Sequence, residues 1–433
     1  MMQPLKRTIL IKNAVIYTLN AKDEVVRGNI LVQGNRIAYV GEELPQIQAE
    51  REIDAEGNLV FPGFSNGHTH LPMTLLRGAG EDLPLMDWLT QKIFPLEDKL
   101  SDELAYLGSM LGIIEMVKTG TTSLADMYFF CDGIAAAIQE SGIRANLSRC
   151  VSGQTMEEAK GRINDALRIY DTYHGAAEGR LEVGFSVHGE YTTGTEVIRK
   201  VCALARERDA VLQIHISETE NEHEECKKRH GGKTPLGILE SLGGLEGRVI
   251  AAHGVYIDDE DMERIAGRDV TVVTCPKSNL KLGSGIARVQ EMLSRGVSVA
   301  LGTDGAASNN TLDLMDEMRY MALLQKGMTR DPGVMDIRQC LRIAMQNGAR
   351  GMGIEAGEIA PGMLADLILV NTKSSRFYPR QNAEAHVLYS ACSQDISMTM
   401  IDGRIVYENG KIQFCDEARV LADFARAAEK LYR

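Results

Sequence analysis

Residues 59–70 read Leu-Val-Phe-Pro-Gly-Phe-Ser-Asn-Gly-His-Thr-His. The apolar run Leu59–Ser65 predicts a buried strand, and His68 and His70 stand just past it. On an extended chain, two residues separated by one point to the same side, so both imidazoles can reach one metal ion. His-x-His alone is a moderate signal. It sharpens because seven further short apolar runs follow, each separated from the next by a longer amphipathic stretch. They are Thr122–Asp126, Arg144–Cys150, Leu181–Val187, Val211–Ile216, Arg248–Ala252, Val270–Thr274 and Val297–Leu301. Eight strands alternating with helices in under 300 residues predict a parallel (β/α)8 barrel.

The C-terminal ends of these strands carry His68 and His70, Asp126, Arg149, His188, His215, His253, Ser278 with Asn279, and Asp304. In a barrel they share one mouth, the face where barrel enzymes do chemistry. Any single histidine there reads as a hydrogen-bonded structural residue. Five of the chain's nine at one strand position make chance the weaker reading.

The ends of the chain differ from its middle. Thr8–Leu19 and Glu24–Val40 are Val/Ile-rich runs, and Ala365–Val370 repeats the pattern. Met398–Ile401, Asp402-Gly403 and Arg404–Tyr407 read as a hairpin, and Glu417–Tyr432 as a helix. The expected organisation is α/β: a TIM-like (β/α)8 barrel over 59–358, with a small β-sandwich domain composed of 1–58 and 359–433.

Composition narrows the partners. The 433 residues carry 47 Lys and Arg against 60 Asp and Glu, a net charge of −13. Such a chain has no general attraction to nucleic acid or anionic lipid. The first twenty residues alternate apolar and polar, unlike a secretory leader, and no apolar run is long enough for a membrane span. Eight scattered cysteines without a Cys-x-x-Cys pair fit reduced thiols in a cytoplasmic protein. The charge-dense run Glu218–Arg229 reads as a solvated helix face. An acidic barrel with 20 methionines is compatible with a homo-oligomer, though no residue pattern proves it.

Three neutral imidazoles, His68, His70 and His215, with the Asp304 carboxylate would form a site for one Zn2+, with Fe2+ as the alternative. His188, where a bridging lysine would be needed, argues against two metals. A bound metal lowers the pKa of water from 15.7 to about 7, which supplies hydroxide at neutral pH. Asp304 can take the water's proton. Glu218, three residues past His215, is placed to shuttle a proton. Its plainer reading is a favourable acidic residue at a helix start. His253 could hydrogen-bond the attacking hydroxide or polarise the substrate.

Phe61-Pro-Gly-Phe-Ser-Asn-Gly-His-Thr-His70, His215-Ile-Ser-Glu218, His253-Gly-Val and Gly302-Thr-Asp-Gly-Ala-Ala-Ser-Asn309 resemble the amidohydrolase superfamily. His70-Leu-Pro-Met-Thr-Leu-Leu-Arg-Gly78, Leu85-Met-Asp-Trp-Leu89, Pro95-Leu-Glu97 and Ser278-Asn-Leu-Lys-Leu-Gly-Ser-Gly-Ile286 are similar to its 5-methylthioadenosine/S-adenosylhomocysteine deaminase branch. The likeness covers nearly the whole chain, including Glu358-Ile-Ala-Pro-Gly-Met-Leu-Ala-Asp-Leu367.

The resemblance implies that a small-molecule nucleoside is converted to its inosine analogue plus ammonia. It implies His68, His70, His215 and Asp304 as zinc ligands. Glu218 would pass a proton to the purine ring, and Asp304 would help ammonia leave. It further implies Glu97 on the ribose hydroxyls, His188 on the purine and Trp88 as an aromatic wall, for which plain core packing is an equal reading. Arg149 would read the far end of the ligand, with Arg162 as a second candidate. One departure stands out. The branch follows its strand-four histidine with small-Pro-Tyr-Thr, whereas this chain has Gly189-Glu190-Tyr191-Thr192. Glu190 adds a carboxylate expected close to the mouth. The runner-up is a deaminase of another base (guanine, 8-oxoguanine, cytosine) or a triazine hydrolase of the same superfamily, against which Glu97 argues. A non-catalytic barrel is the least favoured reading, because all four metal-ligand positions are filled.

Overall fold

The computed structural model describes residues 7–433, so the first six residues of the stretch read as unlike a leader lie outside it. Eight parallel strands form the barrel. Phe64–His70 is the first, followed by Thr121–Tyr128, Arg144–Val151, Leu181–Val187, Leu212–Ile216, Val249–His253 and Val270–Thr274. The eighth comes in two pieces. Ser298–Leu301 pairs with Val270–Thr274, and Asp304–Gly305 pairs with Thr69 and His70 of the first strand. One segment therefore bonds both neighbours and closes the ring.

Strands from both ends of the chain interleave in a second, mixed sheet of nine. Thr8–Tyr17 pairs with Val25–Gln33 and, in parallel, with Leu59–Pro62, which in turn pairs with Leu367–Val370. Period-two alternation splits its side chains between two cores. Ile16, Val60, Leu367 and Leu369 belong to the sheet's own core. Val15, Tyr17, Phe61, Ile368 and Val370 belong to the core shared with the barrel, where Tyr17 stacks on Phe61 at 4.5 Å. The expected hairpin forms between Ile396–Ile401 and Arg404–Glu408, its turn made by Asp402 and Gly403, both at positive φ. The terminal helix spans Glu417–Leu431.

The run Leu59–Ser65, expected as one barrel strand, is divided. Leu59–Pro62 lies in the mixed sheet, and the barrel begins at Phe64. The crossing point is Gly63, where a Cβ would come within 2.1 Å of the Thr122 side chain. Only glycine lets the two strands approach so closely. All eight cysteines are unpaired. No helix among the described residues is long and apolar enough to cross a membrane.

Candidate active site

His68 and His70 leave the first barrel strand on the same side, ring centroids 4.8 Å apart. His215, in the fifth strand, brings its ring to 5.0 Å from His68. Two backbone carbonyls decide how the rings face. His70 Nδ1 lies 2.6 Å from the Met127 oxygen, and His215 Nδ1 lies 2.6 Å from the His188 oxygen. A carbonyl only accepts, so each Nδ1 carries the hydrogen and each Nε2 is bare. Burial holds His70 below its ordinary range, His215 well below it and His68 down to about 4. The imidazoles are therefore neutral at pH 7.

Those bare nitrogens meet. His215 Nε2 stands 3.4 Å from His70 Nε2, two lone pairs facing each other. Both ring nitrogens of His68 are buried without a hydrogen-bond partner. Unpaired buried polar atoms are costly. Asp304 completes the set. Its Oδ2 accepts from Ser278 Oγ at 2.6 Å and Ser308 Oγ at 2.7 Å. Its Oδ1 faces His70 Nε2 at 3.3 Å and His68 Nε2 at 3.6 Å. Burial opposes ionisation of Asp304, but His68, His253 and His70 hold its carboxyl well below the usual range. Three inward nitrogens and one carboxylate oxygen form a donor set that suits a divalent cation such as Zn2+ or Fe2+.

The backbone around this cluster is strained. Ser217, His253 and Asp304 sit at φ of 49°, 71° and 59°, in the left-handed region. Each costs about 1–3 kcal/mol for a residue with a side chain, and such residues gather at active sites.

Glu218 follows Ser217 and is 4% exposed. Burial raises its pKa, His253 opposes this, and Asp304 reinforces it. His253 Nε2 stands 3.8 Å from Glu218 Oε2, and its Nδ1 lies 2.9 Å from Asn279 Oδ1, which fixes the ring. Burial pulls His253 down, yet Glu218 and Asp304 raise it overall. Glu222 holds this segment from below, accepting from Ser217 N at 3.0 Å and Glu218 N at 2.7 Å. Sequence reasoning missed Glu222. Its signal is Thr219-x-x-Glu222, a capping-box pattern: Thr219 Oγ1 accepts from Glu222 N while the glutamate reaches back past the cap.

Above the imidazoles opens a cavity lined by His70, His215, Glu218, His253 and Asp304 at the barrel end. Trp88, Leu89, Phe94, Phe129 and Tyr191 add apolar wall. His188 lines it with Nδ1 3.0 Å from Thr192 Oγ1. Glu97 also lines it; Oε1 accepts from Tyr128 Oη at 2.6 Å. Burial pushes the Glu97 carboxyl up to about 7 although Tyr128 pulls it down. Tyr128 and Tyr191 were not anticipated as site residues, since aromatic residues near strand ends read as core.

Two expected placements differ. Arg149 does not line the cavity: its Nε binds Asp165 Oδ2 at 2.9 Å and its guanidinium lies 5.2 Å from the Phe129 ring centre. On an alternating strand, Cys150 takes the cavity side and Arg149 turns toward the helix Met156–Tyr173, which carries Asp165. Arg162 bonds the Ser152 and Glu158 carbonyls, each at 3.2 Å. Glu190 stands beside cavity-lining Tyr191 and Thr192, with its carboxylate paired to Arg229 and His230.

Residues 59–406 match the family model described as amidohydrolase family. The chain is 42% identical over 407 residues to the 5'-deoxyadenosine deaminase of Methanothermobacter thermautotrophicus, covering 94% of this chain and 95% of that one. It is 41% identical to the 5-methylthioadenosine/S-adenosylhomocysteine deaminase of Pelotomaculum thermopropionicum, with 98% of each chain covered. A crystal structure of an adenosine deaminase from Xanthomonas campestris with bound zinc superposes with a TM-score of 0.92 at 30% identity, covering 98% of both chains.

Proposed function

The chain belongs to the amidohydrolase family, and from that premise we propose how its residues carry out hydrolytic deamination of an adenosine-type nucleoside. The observation that carries the reading is the meeting of unpartnered imidazole nitrogens and Asp304 Oδ1 beneath a cavity that also holds Glu218 and Glu97.

His68, His70, His215 and Asp304 would hold the divalent metal of this family, which we assign as Zn2+, with Fe2+ as the alternative. Such an ion, when bound, brings the pKa of a water molecule from 15.7 to about 7. Glu97 accepts the ribose hydroxyls, and Trp88 and His188 flank the base. Glu218 delivers a proton to the ring nitrogen beside the amino-bearing carbon, which makes that carbon electrophilic. His253, steadied by Asn279, hydrogen-bonds the incoming oxygen. Asp304 takes the water's proton and returns it to the departing amine. One C–O bond forms, one C–N bond breaks, the hydroxyl's remaining proton restores Glu218, and the products are the inosine analogue and ammonia. The unpaired cysteines support a cytoplasmic location.

A spectrophotometric deamination screen tests the reading. The panel holds 5'-deoxyadenosine, methylthioadenosine, adenosylhomocysteine, adenosine, guanine and cytosine, with bound metal measured on the same sample. Turnover of the adenosines with about one zinc per chain is the expected result. Turnover of a free base alone would overturn the nucleoside assignment.

A further inference from the structure

The charged run after His215 is more than a solvated face. The helix Glu220–Arg229 buries Glu222, His223 and Cys226, and both of its ends are tied to the cavity. At its start, Glu222 holds the backbone of Ser217 and Glu218. At its far end, Arg229 and His230 close on Glu190. Arg229 Nε lies 3.3 Å from Glu190 Oε1, Arg229 Nη2 donates to Oε2, and His230 Nε2 lies 2.7 Å from Oε1.

Glu190 opens the three-residue turn Glu190–Thr192 and is only 7% exposed. The residues on either side of it matter. Tyr191 lines the cavity, and its ring stands edge-on to His188 at 5.7 Å. Thr192 holds the other side of that imidazole. The turn's other anchors are neutral hydrogen bonds: Thr192 N to the Gly189 oxygen and Thr193 N to the Glu190 oxygen, both at 3.3 Å, Thr192 Oγ1 to the Gly189 oxygen at 3.2 Å, Gln154 Nε2 to the Tyr191 oxygen at 3.5 Å, and Gly153 N to the Thr192 oxygen at 3.1 Å. A charge-assisted pair with a bidentate guanidinium is a stronger and more directional anchor than any of these. Glu190, Cys226 and His230 have donor atoms within 4.8 Å of one another, but Arg229 already occupies the carboxylate, so the cluster is an ion-pair clasp and not a cation site.

We propose that Glu190 is a positioning residue for substrate binding: gripped by Arg229 and His230, it fixes the turn that sets His188 and Tyr191 against the nucleoside. The proposal rests on the nucleoside reading of the cavity. Glu190 faces the helix end, so it acts through its neighbours and takes no part in the chemistry. Helix Glu220–Arg229 thereby couples the segment bearing Glu218 to the wall bearing His188.

The test uses E190Q, R229Q, the double variant and R229K. E190Q and R229Q should each raise KM for the preferred nucleoside about tenfold, equivalent to about 1.4 kcal/mol, with kcat within about threefold of native. Metal content and melting temperature should stay near native. The double variant should be no worse than the worse single one, and R229K should recover part of the loss. Amide hydrogen exchange over residues 189–194 should quicken in both single variants. Trp88, the only tryptophan, gives a binding readout without turnover, by fluorescence titration with the inosine product. Unchanged KM and unchanged exchange would overturn the proposal. Strictly multiplicative KM effects in the double variant, or a fall in kcat together with metal loss, would do the same. A native enzyme inert toward every nucleoside would overturn the nucleoside reading instead, and the exchange data would still decide whether the clasp holds the turn.

Discussion

The two ends of the barrel each bury a cluster of polar side chains, and they are built on opposite principles. At the base, Arg144 binds Asp366 at 3.0 Å and Asp402 at 3.0 Å, and Arg180 binds Asp402 at 3.1 Å. All four residues are at most 6% exposed. Arg144 begins the third barrel strand, while Asp366 directly precedes Leu367–Val370 and Asp402 directly follows Ile396–Ile401 of the mixed sheet, so the network also fastens the two sheets together. Each buried cation there has anionic partners, Arg180 reaching Glu178 as well as Asp402, so opposite charges pair within the cluster. The mouth does not. Its lone pairs face each other, both His68 nitrogens are orphaned, and three of its residues hold left-handed backbone. A buried cluster that balances its charges reads as structure. One whose donor atoms face each other without a hydrogen-bond partner reads as a candidate site.

The contrast breaks most visibly at Glu218. E218Q should keep the metal and lose about 10³–10⁴-fold in kcat, measured beside metal analysis. Full turnover would remove Glu218 from the proton path. At the base the expected effect is on stability alone. R144M leaves Asp366 and Asp402 buried without their main partner, and should cost about 3–5 kcal/mol by denaturant unfolding with kcat unchanged. A comparable loss of kcat in folded protein would mean that the two ends are coupled.

Smaller effects sharpen the picture inside the mouth. E97A should raise KM for nucleosides by about 10–100-fold, because a charged acceptor is worth about 1.5–3 kcal/mol, and it should spare free bases. Equal effects on both would sink the ribose assignment. The smallest expected change is with pH. Glu97 titrates at about 7, and only its ionised form accepts from two hydroxyls without competing as a donor. KM for nucleosides should therefore fall about tenfold between pH 6 and pH 8, following ionisation of this one group. In E97A that dependence should vanish; its persistence would assign the titration elsewhere.

That His68, His70, His215 and Asp304 come together was legible because its information is local. A His-x-His pair after an apolar strand, and single His or Asp residues at later strand ends, place ligands on one mouth as soon as the strands are parallel. Glu218 and His253 were legible for the same reason. Trp88, Glu97 and His188 entered through family resemblance, and all three line the cavity. The misplacement and the unforeseen pairing share a cause. Arg149 finds Asp165 on the adjacent helix, and Glu190 finds Arg229 39 residues along the chain. Glu222 was hidden because a charged run looks solvated until one face of its helix is packed.

The sequence by itself determined the alternation of strands and helices, the pairing of its two ends, and the convergence of His68, His70, His215 and Asp304 on one mouth. These follow from period, spacing and residue chemistry, which are properties of neighbours in the chain. Tertiary structure alone decided that the chain changes sheets at Gly63, that Arg149 turns outward, that Glu190 is clasped and that Glu222 braces Glu218. Each of those depends on a partner or a close approach that exists only once distant segments meet. A long charged side chain takes its direction from whichever opposite charge is within reach, and no one-dimensional pattern records that distance.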